Sequence, residues 1–117
     1  MKYIITLDPK NLDPKNGDLY PMEETNGQEI YNQSTEYETS GKSIVSLGTW
    51  AGTSGVINCN FDNDELCILA SGKVKLTNQE GEHLILSAGQ GFIMQAGFKG
   101  TWESLGEVHK WYVIYKA

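Results

Sequence analysis

The chain has 117 residues, a net charge of −6 with nine lysines and no arginine, and 39% hydrophobic residues. That is enough for one domain with its own core and too little for two. The acidic balance and the missing guanidinium forks exclude a phosphate-tracking nucleic-acid binder and a protein that docks on anionic membranes.

The N-terminal residues 2–7, rich in Tyr, Ile and Thr, read as a short strand. The run ends in Asp8-Pro9-Lys10 rather than in a small-residue cleavage site, so export is not expected. Residues 8–27 carry Pro9, Pro14 and Pro21 among Asp, Asn and Glu, and read as an irregular arm. Residues 1–42 are therefore expected to be an N-terminal strand and arm packed on a barrel made by residues 43–117. Strands are predicted near 28–32, 43–50, 55–61, 66–71, 73–78, 82–88, 91–96, 101–105 and 109–116. Turn signals punctuate them at Asn63-Asp64, Ser71-Gly72, Asn78 to Gly81, Ala88-Gly89 and Gly97. Ser71-Gly72, between two apolar runs, reads as the clearest hairpin. Many short strands and no helical period give an all-β fold, a sandwich or barrel. No apolar run is long enough to span a bilayer. Cys59 and Cys67 form neither a disulfide framework nor a zinc cluster, and a cytoplasmic home is the expectation.

Three blocks then carry a resemblance. They are Gly48 to Gly55 (GTWAGTSG), Phe61 to Gly72 (FDNDELCILASG), and Ala88 to Trp102 (AGQGFIMQAGFKGTW) with the closing Lys110-Trp111-Tyr112 strand. Together they resemble the cupin superfamily, and within it the small cupin-3 type that includes ureidoglycine aminohydrolase and ethanolamine-utilisation cupins. The resemblance implies a single double-stranded β-helix, the jelly-roll barrel, and it covers about residues 43–116. It also implies where a metal would be held: the two histidines, the glutamate and the last histidine of the family's motifs fall on Asn58, Asn60, Glu65 and Gly100. Glu65 with two neutral amides is a poor donor set for a first-row metal, so no metal and no cofactor are expected.

Strand parity gives the expected interior. If Glu65 points inward, so do Cys67 and Leu69; Lys110, Tyr112 and Ile114 share one face of the last strand, and His109, Trp111, Val113 and Tyr115 the other. Period 2 would place Cys59 opposite Asn58 and Asn60, so that the two thiols do not converge. The resemblance implies that the inward set lines a barrel mouth holding Trp50, Asn58, Asn60, Glu65, Cys67, Trp102, Lys110 and Tyr112. Met94 and Gln95 stand near the same wall with no direction assigned. His83 and His109 read as structural or surface residues.

A carboxylate on an inward face must be paired, and Lys110 is the expected partner of Glu65. Three functions remain open. The first is a metal-free cupin that binds a small polar metabolite. The second is a hydrolase or isomerase acting on a small nitrogenous or sugar-like metabolite, with Glu65 and Lys110 or Tyr112 transferring the proton. The third is an interaction module with a filled barrel. The resemblance also implies a homodimer, and Trp111 and Tyr115 of the outer face are expected against a second sheet or a second subunit.

Overall fold

The computed structural model describes Ile4, Asp18, Leu19 and residues 27–116. The strand expected over residues 2–7 and most of the arm lie outside these residues. Ten strands are present among the described residues: β1 (Asp18–Leu19), β2 (Ile30–Glu38), β3 (Ile44–Gly52), β4 (Gly55–Asn60), β5 (Asp64–Ser71), β6 (Lys73–Asn78), β7 (His83–Ser87), β8 (Gly91–Met94), β9 (Lys99–Ser104) and β10 (Val108–Lys116). They form two antiparallel sheets, a six-stranded one in the order β1-β2-β3-β10-β5-β8 and a four-stranded one in the order β4-β9-β6-β7. From β3 onward the chain changes sheet at nearly every connection, as a jelly roll requires.

Two expectations are corrected. The strand expected at 28–32 runs instead from Ile30 to Glu38 and pairs along its length with β3. Its sequence, IYNQSTEYE, lacks apolar alternation because most of the strand is exposed. The boundary expected at residue 43 falls in the turn between these two paired strands. Second, Ser71-Gly72 does not close a hairpin. β5 pairs with β8 and β10, whereas β6 pairs with β7 and β9, so the two residues carry the chain from one sheet to the other. Gly72 has φ of 86°, and a Cβ there would strike the Glu107 carbonyl, so only glycine fits the crossing.

The core lies between the sheets. Leu69 and Val108 from the larger sheet meet Val74 and Leu76 from the smaller one, with Trp50, Trp102, Ile30 and Met94 filling the middle. Each such side chain contributes about 1.5–3 kcal/mol of burial free energy. In β6, Val74 and Leu76 point inward while Lys73 is exposed, the alternation expected of a strand with one wet face.

Candidate functional site

β5 and β10 are neighbours in the larger sheet, with Cys67 opposite Tyr112 and Glu65 opposite Ile114. The alternation of DELCILAS turns Glu65, Cys67 and Leu69 inward. Lys110 starts opposite Leu69, so its long side chain runs along the interior past Cys67 toward Glu65. Its Nζ ends 2.7 Å from Glu65 Oε2 and 3.8 Å from Cys67 Sγ. The Cys67 thiol donates to the same carboxylate oxygen at 2.9 Å. Glu65 is 5% exposed and Lys110 8% exposed, so the pair is taken out of water.

Aromatic rings surround the ammonium. Lys110 Nζ lies 4.6 Å from the Trp102 ring centroid, 5.4 Å from that of Tyr112 and 5.7 Å from that of Trp50. Trp50 meets Trp102 edge-on, with centroids 5.6 Å apart. Each ring has its polar handle satisfied elsewhere where one is visible: Trp102 Nε1 donates to Ser104 Oγ at 3.0 Å, and the Tyr112 hydroxyl donates to Asn32 Oδ1 at 2.7 Å. The rings therefore offer their faces to the cation, which such faces attract.

The charge states follow from this enclosure. Burial, the largest influence, pushes the Cys67 thiol up to about 12. Burial raises Cys59 as well. For Lys110, burial works to lower the pKa, but negative charge at Cys67, when ionised, and at Glu65 outweighs it and holds the ammonium above the ordinary lysine range. At neutral pH Lys110 is thus an ammonium and both thiols keep their protons.

The larger sheet supplies Glu65, Cys67, Lys110, Tyr112 and Trp50 to one interior, and β9 supplies Trp102 across from them. Asn58 and Asn60 do not join them, which is a correction. Both are exposed on the outer face of the smaller sheet, beside an open groove with Thr77, Lys99 and Thr101. Ile57 and Cys59 are the residues of β4 that pack on the core. Pairing with β9 fixes this phase, because Ile57 stands opposite Trp102 and Cys59 opposite Gly100. The resemblance puts Asn58 and Asn60 at the family's histidine positions by their spacing from Glu65, but β4 and β5 lie in different sheets, and period 2 does not carry across the loop between them. Both thiols consequently face the interior, and both feel the charges of Lys110 and Glu65. Gly100 admits no side chain, since a Cβ there would strike the Thr77 carbonyl. Met94 is buried and Gln95 exposed, which settles their directions. The inward phase of β4 could have been found in the sequence from Trp102, had β9 been recognised as its partner. Asn32, the acceptor for Tyr112, left no such signal in the polar run of β2.

A divalent metal does not fit this donor set. The carboxylate that would bind it is already paired with an ammonium, which would repel a second cation. Among the described residues, no group of three His, Cys, Asp or Glu side chains could hold a metal ion. No helix of the described residues is long and apolar enough to cross a membrane.

Comparison with known proteins agrees with this fold. Residues 39–112 match the family described as the EutQ-like cupin domain. No curated protein matches the chain. Among solved structures, a putative ethanolamine utilization protein Q from Salmonella typhimurium LT2 superposes with a TM-score of 0.72 at 17% identity, covering 90% of this chain and 84% of that one. The EutQ protein of Clostridium difficile gives 0.64 at 16% identity, over 97% of this chain and 82% of that one. A conserved protein of unknown function from Streptococcus pyogenes gives 0.65 at 16% identity, over 100% of this chain and 96% of that one. At such identities the likeness shows the fold alone.

Proposed function

We propose, from the premise that the chain belongs to the EutQ-like cupin domain family, that its barrel works without a metal and binds a small polar metabolite at the Glu65–Lys110 pair. One observation carries this reading: a 2.7 Å ion pair sits in the dry, aromatic centre of a small domain. A buried ion pair contributes little net stability, and apolar residues of similar volume serve the core as well or better. Its presence at the centre of the barrel is accounted for by a ligand that needs a fixed ammonium and a fixed carboxylate side by side. Trp50, Trp102 and Tyr112 would wall that ligand, and Cys67 would brace the carboxylate. Asn58 and Asn60, exposed on the outer face, have no part in it.

Proton transfer by Glu65 with Lys110 or Tyr112 has less support. Glu65 Oε2 is committed to the ammonium, and the Tyr112 hydroxyl is committed to Asn32. The filled-barrel module is favoured by one feature, the near-complete burial of Cys67, Leu69 and Trp102.

Calorimetric titration of the wild type and of the Lys110→Met/Glu65→Leu double variant with small hydroxylated and nitrogenous metabolites separates these readings. Binding by the wild type and none by the folded double variant is the expected result. Equal binding by both proteins would refute a role for the pair. Binding by neither would leave the filled barrel.

A further inference from the structure

The smaller sheet ends in a strand whose outer edge is bare. β7 is last in the order β4-β9-β6-β7, and β6 is its sheet partner among the described residues. The turn before it fixes which backbone groups face out. The Asn78 N–H donates to the Glu82 carbonyl at 2.9 Å, so these two residues form a hydrogen-bonded pair. Such pairs alternate along an antiparallel ladder, and the register makes Leu76–Leu84 and Val74–Leu86 the next two. The N–H and C=O groups of His83, Ile85 and Ser87 therefore point away from β6. Gln90 takes those of Ser87: the Ser87 N–H donates to Gln90 Oε1 at 2.6 Å, and the Gln90 N–H donates to the Ser87 carbonyl at 3.1 Å. No described residue takes those of His83 and Ile85.

The inner face beside this edge is also unfinished. Leu84 belongs to the inward row of Leu76, Trp102 and Ile57, yet it is 53% exposed while Leu76 and Trp102 are buried. Next to it lies a cavity of about 280 Å³ whose apolar lining is Leu76, Leu84 and Phe98, with Asn78, Glu82 and His83 around them. On the outer face Ile85 is exposed as well. Sheet edges are usually blunted by lysine, proline or a bulge, but β7 reads HLILS and its register with β6 is unbroken. An apolar small molecule would cover the leucine and strand the backbone groups beside it. An extended backbone satisfies both, because its own N–H and C=O groups alternate at the same spacing.

We infer that β7 is a docking edge for an extended segment of a partner protein, which adds antiparallel to the smaller sheet as a further strand. The segment bonds to Ile85 and His83, so its residue opposite Leu84 falls in a non-hydrogen-bonded pair, where side chains stand closest. That residue points inward, and the cavity takes a large apolar side chain there. Glu82 shares the face of Leu84 two residues earlier, so the partner residue two places after the apolar one stands opposite its carboxylate. A lysine fits that position, and a basic segment suits a chain of net charge −6. The recognised pattern is a large apolar residue followed two places later by a cation. It goes beyond the reading of the Glu65–Lys110 pair and does not depend on it.

The test is an NMR titration of the full chain with the peptide acetyl-Thr-Val-Phe-Thr-Lys-amide. Its valine is set opposite Ile85, its phenylalanine opposite Leu84 and its lysine opposite Glu82. The expected result is binding that shifts the His83, Leu84, Ile85 and Phe98 signals and slows hydrogen exchange at the Ile85 amide. N-methylation of the peptide's valine removes the donor to the Ile85 carbonyl and should weaken binding by about tenfold. Replacing the phenylalanine by serine empties the cavity and should weaken it by at least about tenfold. Ile85→Pro closes the edge from the protein side, and the N–H it removes is one that β6 does not use, so binding should be lost. No binding of the parent peptide, or equal binding of its N-methylated form, would overturn strand addition. Equal binding of the serine peptide would overturn the seat beside Leu84. Both peptide comparisons use the unaltered protein, so they decide the matter even where Ile85→Pro fails to fold.

Discussion

The Lys110 ammonium of the larger sheet lies 4.6 Å from the centroid of the Trp102 ring of the smaller one. A charge on one layer thus meets a ring on the other, in the space where a fully apolar sandwich would hold interdigitated aliphatic chains. Desolvated contacts of this kind contribute about 2 kcal/mol. They also make the interior sensitive to loss of either partner of the ion pair.

Lys110→Met should therefore be strongly destabilising, by roughly 3–5 kcal/mol, because it strands the Glu65 carboxylate in a dry interior. Adding Glu65→Leu to that variant should restore most of the loss, since the pair is then replaced by apolar volume. Urea unfolding of the wild type, the single and the double variant measures both steps. A single variant as stable as the wild type would mean that Glu65 finds water when Lys110 is removed.

Alkaline pH should weaken the fold through Cys67. Its folded-state pKa of about 12 lies above the ordinary thiol value of 9.0, so the stability it contributes is fully present below about pH 9 and is lost as pH rises through the window from 9 to 12. Lys110, also raised, acts in the same direction, because its ammonium is held more tightly in the fold than in the open chain. The melting temperature should fall steeply between pH 9 and 11, with Cys67 accounting for about 3 kcal/mol by pH 11. In Cys67→Val the decline should be shallower. Iodoacetamide should label Cys67 slowly in the native protein and rapidly in urea, and fast native labelling would contradict the protonated, buried thiol.

Much of this interior was legible in the sequence, and the residues that were not share a cause. Period 2 groups Glu65 with Cys67 and Leu69, and Lys110 with Tyr112. DELCILAS and VHKWYVIYK carry apolar residues on both phases, so which phase faces inward was legible only through the resemblance. Asn58 and Cys59 were misassigned because β4 reads GVINCN, in which apolar and polar residues alternate on both phases weakly and the decision is made by β9. The error at Ser71-Gly72 has the same origin. A glycine turn between two apolar runs looks alike whether the chain reverses within a sheet or crosses to another, and the difference lies in long-range pairing. The extent of β2 was hidden because an exposed strand needs no apolar period at all.

Gly72 offers a direct check on the crossing. Gly72→Ala must adopt φ of 86° and also push its Cβ into the Glu107 carbonyl. Gly81→Ala meets a similar φ of 84° with nothing within 4 Å of its Cβ. The left-handed conformation alone costs about 1–2 kcal/mol, so Gly81→Ala should lose about that much and Gly72→Ala distinctly more. Urea midpoints at unchanged slope give the comparison. Equal losses would mean that the strand crossing can relax around a methyl group.

The outer face of the larger sheet leads to the remaining expectation, a pair of chains. Ile93, Leu66, Val113 and Leu47 stand in one row across β8, β5, β10 and β3, and Ile68 and Trp111 stand in the next. Ile93 is 62% exposed, and Leu66, Ile68 and Tyr115 are exposed with it. On β5, β8 and β10 the only acidic or lysine side chain of this outer parity is Asp64, although the chain as a whole carries −6. Two acidic molecules repel least where neither presents charge, and an apolar sheet face is matched by its own copy about a twofold axis. We expect a homodimer through this face, with a mass near twice 13.0 kDa by light scattering. Ile93→Lys, which places a cation at the centre of that row, should shift the protein to the single-chain mass without lowering its melting temperature at low concentration. A wild type that stays at the single-chain mass up to millimolar concentration would refute the pairing.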